Sequence, residues 1–277
     1  MLTYFQVIVL GLMQGFSELF PISSLGHSVI LPQLLGWNVN QKEPFFLVFL
    51  VFTHLATSIV LIGFFWKDWL DIIKGMGRSL ARREIRKDDA SAKLGWLLVV
   101  GTIPAGILGL LLQEPLSTLF ASAKIAAFFL MVNGAMLYGA ELLRRRAKTS
   151  ATAVTWVKSF FIGTVQAIAL VPGFSRSGAS MAGGLLAGLS HEDAARFSFL
   201  LATPIILAAA LLKVPELFMP ENRGLIGPAV VGALCSGTTA YFSIRFLMRF
   251  FKTNKLTPFA GYCFVAGALS LLWLTIR

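Results

Sequence analysis

A chain of 277 residues that is 56% hydrophobic and only 13% charged, with 24 phenylalanines and a mean hydropathy of +0.76, is too apolar for a water-soluble globule. Its net charge of +11 would suit nucleic acid, but the basic residues collect in a few loops, which is the signature of membrane topology and excludes a polyanion-binding face. Cys235 and Cys263 both fall inside apolar runs, which excludes a disulfide framework and a cysteine-built metal site and leaves them as small core residues.

Residues 1–36 are apolar, yet "ELFPISSLGHS" (18–28) interrupts them and leaves two pieces too short for the roughly 20 residues a span needs. The first basic residue is Lys42, so the stretch lacks the positive start of a signal peptide and is expected to stay in the fold. Three apolar runs follow, near 44–66, 95–113 and 123–143. A second interrupted stretch, 157–190, carries "PGFSRSGAS" (172–180), and three more runs lie near 195–213, 225–250 and 257–276. The expected fold is all-α and polytopic, with six transmembrane helices and two re-entrant helical hairpins.

Lys and Arg crowd 67–94, 144–158 and 245–255, and with Arg196 these hold 18 of the 24 basic residues. The positive-inside rule puts those regions in the cytoplasm. Lys42, Lys124, Lys213, Arg223 and Arg277 are then outside, one or two per loop, and Arg176 alone is unassigned. The first hairpin must enter from the outer face and the second from the inner face. The mixed charges of "RREIRKDDASAK" (82–93) read as a solvated loop, and "SHEDAAR" (190–196) as a capped helix start in which His191 has no catalytic task. His54, alone among apolar residues in mid-span, reads as a hydrogen-bonded packing residue.

A shift of 152 positions superposes 11–28 on 163–180, with Gly11/Gly163, Gln14/Gln166, Ser23/Ser175, Gly26/Gly178 and Ser28/Ser180 coinciding. Each copy is a broken hairpin followed by three spans. An odd number of spans turns the second copy upside down, so repeats of approximately 1–145 and 155–277 form one inverted-topology membrane domain with opposed hairpin tips. Broken backbone at that depth must be buried in protein or line a wet cavity.

The tips carry the candidate chemistry. Gly11, Gln14 and Glu18 share one face of the first half-helix, and an ionisable group inside a membrane is a functional candidate by default. Ser23 and Ser24 stand where an N-cap belongs, and His27 follows Ser24 by one turn; a Ser/His/Glu cluster can activate a hydroxyl. In the second tip Arg176 lies between Ser175 and Ser177, so that half-helix amides, hydroxyls and a guanidinium fork together suit phosphate. The repeat sets Arg176 opposite Ser24.

The Gln-x-x-x-Glu spacing of Gln14 and Glu18 with "PISSLGH", and "PGFSRSG" in the second tip, resemble the two signature motifs of the undecaprenyl-diphosphate phosphatases, the bacitracin-resistance family of bacterial membranes. The resemblance runs over the whole chain, including "GTIPAGILGLL" (101–111) and "FSFLLATP" (197–204). It implies hydrolysis of the C55 lipid diphosphate to the monophosphate and inorganic phosphate, recycling the cell-wall lipid carrier, with a divalent cation, Mg2+ or Ca2+. Carried over by motif position, Ser24 is the nucleophile or its partner, Glu18 the base or metal-associated carboxylate, His27 an acid/base or orienting group, and Arg176 the phosphate clamp. Gln14, Ser23, Ser175 and Ser177 line the substrate pocket. Gln14 stands where many members carry Glu, which argues against a two-carboxylate metal site, and Leu25 stands where threonine is common. The implied setting is the bacterial inner membrane with a site open to the outer face. The partners are a polyprenyl diphosphate and membrane lipids, with a homodimer admissible. The rival reading is a polyprenyl-phosphate transporter or flippase, because opposed broken helices also build transporters.

Overall fold

The computed structural model describes residues 2–37, 39, 44–112, 122–144, 154–217, 224 and 226–276. Lys42, Arg145, Arg146, Lys148, Arg223 and Arg277, which helped to set the topology, lie outside the described residues, as does the side chain of Lys213. The described chain is all-helical, with no β-strand among the described residues. The helices are α1 (Tyr4–Leu19), α2 (Ser24–Leu34), α3 (Pro44–Phe64), α4 (Trp66–Arg82), α5 (Ala90–Leu111), α6 (Ala123–Leu143), α7 (Trp156–Ala167), α8 (Arg176–Leu186), α9 (His191–Leu217), α10 (Ile226–Phe250) and α11 (Thr257–Ile276).

The pieces α1/α2 and α7/α8 are the two interrupted stretches, each half too short to cross a bilayer. Helices α5, α6, α10 and α11 and residues 191–210 of α9 are long and apolar enough to span. A sixth span is present if α3 and α4, bent by 82° at Phe65, count as one broken span. The protein is a multi-pass membrane protein.

Local chemistry sets the helix ends. Thr3 and Gln6 form a reciprocal capping box at α1. Ser23 and Ser175, 152 positions apart, each accept a hydrogen bond from the amide three residues on, Gly26 and Gly178, both at 3.1 Å. Ser190 caps α9 through Asp193 N–H at 3.0 Å, as the sequence signature indicates.

Equivalent residues of the two halves make equivalent contacts. A Cβ on Gly11 of α1 would lie 2.6 Å from the Gly232 carbonyl oxygen of α10, and a Cβ on Gly163 of α7 would lie 2.1 Å from the Gly101 carbonyl oxygen of α5. Only glycine permits those crossings, the close approach that small residues allow in membrane packing. At the tips, Gly26 abuts Gly173 and Gly178 abuts Pro21, so each tip presses on the other. Helix α3 packs on α9 and α6 on α11, closing the bundle around the tips. Ser28 Oγ donates to Ser24 O and Ser180 Oγ to Arg176 O, repeating the same bond in both exit helices.

Helix α4 falls in the basic region assigned to the cytoplasmic side. Trp66, Leu70, Ile73 and Leu80 form an exposed apolar stripe, and Ile72, Gly75 and Ser79 are buried, with Gly75 backed directly against Ala92 of α5. The third face carries Lys67, Lys74, Arg78 and Arg82. Arg196 of α9 pairs with Asp68, and Arg78 holds Asp89 through two 3.0 Å bonds. This is an amphipathic helix suited to lie along an interface. Only 83–89 remains non-helical as the loop expected there.

Candidate active site

Glu18 sits one residue before the end of α1, 6% exposed, and is the point where the two hairpins join. Ser24, the first residue of α2, donates its Oγ–H to Glu18 Oε2. Arg176, the first residue of α8, donates from Nη2 to Glu18 Oε1. Gln14, one turn earlier on α1, donates from Nε2 to Glu18 Oε2 at 3.0 Å. One carboxylate therefore binds a hydroxyl from its own hairpin and a guanidinium from the opposite one.

Backbone geometry puts Ser24 and Arg176 there. The turn after α1 requires φ of +69° at Ser23, uncommon for a residue with a side chain and of the kind that persists where its surroundings over-determine it. Gly173 has φ of +100°, and a Cβ there would come within 2.4 Å of the Ala126 carbonyl oxygen, so glycine is obligatory on both counts. Asn133 of α6 ties the tips together, donating to Pro21 O and accepting from Ser175 N–H, both at 3.0 Å.

The other candidate residues divide. Ser177 Oγ donates to Phe20 O at 3.0 Å, and Ser175 Oγ lies 3.0 Å from Ser177 Oγ, so both serines stitch tip to tip; Ser175 also lines the cavity. Ser23 is buried as the cap of α2. His27 is not brought to Glu18. Its Nδ1 lies 2.6 Å from Ser23 O, its Nε2 lies 2.8 Å from the Tyr262 hydroxyl, and its ring stacks on Tyr262. It buttresses the strained turn from the α11 side. The histidine that does reach the carboxylate is His54 of α3, with Nε2 3.2 Å from Glu18 Oε2. Sequence reasoning assigned His54 to packing, although the cost of an ionisable ring in mid-span was a signal of its own.

These groups face a cavity of about 380 Å³. Glu18, Ser24, His54, Ser175 and Arg176 form its polar end, and the rest is apolar, including Phe46, Leu50, Phe174, Ile205 and Ile206. Two buried polar atoms of this cluster have no partner: Nη1 of Arg176, which lines the cavity, and Oε1 of Gln14, which does not. Buried polar groups are rarely left unmade, so an orphaned guanidinium nitrogen beside a cavity marks a place for an anion. A polar end with an apolar channel suits a phosphorylated lipid.

The residues do not form a cation cage. Among the described residues no three His, Cys, Asp or Glu side chains gather at one point. Among the described residues Glu18 is the only carboxylate lining the cavity, and both its oxygens are held by donors, two of them on Arg176 and His54. Mg2+ and Ca2+ need several oxygen ligands, and among the described residues Gln14 Oε1 is the only unpartnered buried oxygen beside that carboxylate.

Known proteins match this chain along its length. The family model described as bacitracin resistance protein BacA matches residues 7–269. The chain is 45% identical to the undecaprenyl-diphosphatase of Mycolicibacterium paratuberculosis, with 100% of this chain and 99% of the relative covered. It is 45% identical to the undecaprenyl-diphosphatase of Acidiphilium cryptum, covering 96% of each, and 41% identical to undecaprenyl-diphosphatase 2 of Frankia alni, covering 97% of each. Identity at this level over whole chains, with the family model spanning both hairpins, means that the chain belongs to the bacitracin resistance protein BacA family.

Proposed function

We propose that this protein is an integral-membrane phosphatase that hydrolyses undecaprenyl diphosphate to undecaprenyl phosphate and inorganic phosphate. The observation that carries the proposal is the Glu18 carboxylate shared between Ser24 and Arg176, a base holding a hydroxyl beside a guanidinium with an unpartnered nitrogen. The attacking oxygen is that of Ser24 or of a water held by Ser24 and Glu18. It bonds to the terminal phosphorus as the bond from that phosphorus to the bridging oxygen breaks. Its proton passes to Glu18, and the lipid monophosphate departs. On the Ser24 route, water then bonds to the phosphorus as the Ser24 Oγ–P bond breaks, a water proton returns to Oγ, and inorganic phosphate departs. Arg176 and the amides at the start of α8 hold the phosphoryl charge, since phosphoryl transfer depends chiefly on positioning and charge stabilisation.

The wider reading is an inverted repeat whose tips meet at the site, in one membrane domain of approximately 1–145 and 155–277. The swapped glycine crossings, Gly11 on Gly232 and Gly163 on Gly101, support it. Access is from the outer face of the bacterial inner membrane. The cavity wall supports this: besides mid-helix His54 it uses Phe46 and Leu50 from the start of α3 and Ile205, Ile206, Ala209 and Ala210 from the later part of α9, segments that basic-residue topology assigns to the outer half. A divalent cation enters as the counter-ion of the diphosphate, not in a site built by the protein.

Phosphate release from a polyprenyl diphosphate by purified protein in detergent tests the proposal, because no membrane remains to be crossed. Wild type releases phosphate, and Ser24→Ala does not while still binding the lipid. Release by Ser24→Ala at the wild-type rate contradicts the role of Ser24, and no release by wild type contradicts the phosphatase reading in favour of transport.

A further inference from the structure

We infer that His54 is the positioning residue for Glu18, clamping Oε2 toward Ser24 so that Arg176 keeps a nitrogen for phosphate; this rests on the phosphatase reading above. The histidine lies in mid-α3, outside both hairpins, and lines the cavity. Its Nδ1 is 2.7 Å from the Leu50 carbonyl oxygen. A carbonyl only accepts, so Nδ1 carries a hydrogen, and the bond fixes the ring. The opposite edge then has one orientation, Nε2 facing Glu18 Oε2 at 3.2 Å. With Nδ1–H committed to that carbonyl, Nε2 donates to Oε2 as the imidazolium, which leaves Glu18 ionised as the base for Ser24.

The need for such a clamp follows from the other partners of the carboxylate. Guanidinium and carboxylate favour a two-pronged pairing. Arg176 uses only Nη2, on Oε1, and leaves Nη1 buried and unpartnered. Left to itself, the carboxylate would turn to offer both oxygens to Arg176. That rotation would withdraw the base from Ser24 and occupy the nitrogen that is otherwise unpartnered. Gln14 and Ser24 also hold Oε2, but both belong to the hairpin that carries Glu18 and move with it. His54 is the anchor from a separate element. Helix α3 also packs on α9 and α10, which fixes the clamp to the bundle rather than to the tips.

The test compares His54→Leu with His54→Gln in purified protein, measuring kcat and KM for phosphate release together with thermal unfolding. Glutamine can still donate an N–H toward Oε2, and leucine cannot. Positioning predicts that His54→Gln keeps most of kcat. It predicts that His54→Leu loses roughly ten- to a hundredfold in kcat with KM changed by less than about threefold, the pattern of an interaction needed in the transition state. A packing role predicts the reverse order, because leucine suits an apolar span better than an amide. Activity of His54→Leu equal to or above that of His54→Gln overturns the inference. A second measurement does not depend on turnover: the ring 15N resonances of His54 shift in Glu18→Gln if the clamp exists, and unchanged resonances overturn it. Failure of wild type to release phosphate would instead sink the phosphatase reading, while the resonances would still decide the contact.

Discussion

Ser24 and Arg176 open two different half-helices, in opposite halves of the chain, and bind opposite oxygens of the same carboxylate, Glu18. The shift that superposes the two hairpin sequences superposes these two residues as well. The repeat thus brings equivalent backbone positions together while their side chains diverge, one a hydroxyl and one a guanidinium. Activity should therefore depend on the chemical identity of each side chain and not merely on its charge or size.

Arg176→Lys retains the positive charge but cannot bind Glu18 with one nitrogen and phosphate with another in a fixed plane. Phosphate release in detergent is expected to fall by about a hundredfold or more, the scale of losing one preorganised donor to a developing oxyanion. A lysine variant within a few-fold of wild type would remove the fork from the mechanism.

Gln14→Glu is expected to remain active and to depend more steeply on divalent cation. In the native protein Gln14 donates to Glu18, and its other amide atom, Oε1, is buried without a partner. A glutamate there sets two carboxylates one turn apart in a buried site, where they must share a proton or a cation. Titrating Mg2+ against activity for both proteins checks this. A variant that is inactive at every cation concentration, or one with the wild-type cation response, would contradict it.

His27 is expected to act through the turn it supports. Its two ring nitrogens face Ser23 O and the Tyr262 hydroxyl, so His27→Ala should lower activity and Tyr262→Phe should reproduce part of that loss. The double variant should lose less than the sum of the two, as expected for residues in contact. Strict additivity, with Tyr262→Phe fully active, would instead favour a direct proton-transfer role for His27.

Much of this arrangement is legible in the sequence, and the gaps have physical causes. Proline, glycine and serine interrupt the two hairpins so strongly that their approximate bounds, an N-cap at Ser23 or Ser24 and the opposition of Ser24 and Arg176 follow from pattern and repeat, while the role of Glu18 rests on the family resemblance. The neighbours of the two histidines follow from neither. His27 lies one turn from Ser24 on the same helix, but spacing cannot say which neighbouring element its ring meets, and Tyr262 of α11 takes it. His54 looks like an isolated polar residue because its partner, Glu18, belongs to a different helix, and only tertiary packing joins them. Helix α4 is obscured by its mixed charges, although Trp66, Leu70, Ile73 and Leu80 already recur at a helical spacing.

Sidedness can be read with a cysteine probe. Ala209, on the later part of α9, lines the cavity, and replacing both native cysteines removes background labelling. A single cysteine at position 209 is expected to react with a membrane-impermeant thiol reagent on intact cells and not in inverted vesicles. Labelling only in inverted vesicles would reverse the access route, and labelling from both sides would point to alternating access.

The carboxylate at the meeting point of the hairpins is the centre of the account, and Glu18→Gln tests it most directly. Glutamine keeps the size and can still hydrogen-bond to Ser24, but it cannot take up the proton. Phosphate release from a polyprenyl diphosphate, measured on purified wild type and Glu18→Gln in the same detergent, is expected to fall by roughly a hundred- to ten-thousandfold, the usual worth of a general base. A Glu18→Gln protein that releases phosphate at the wild-type rate would contradict the account.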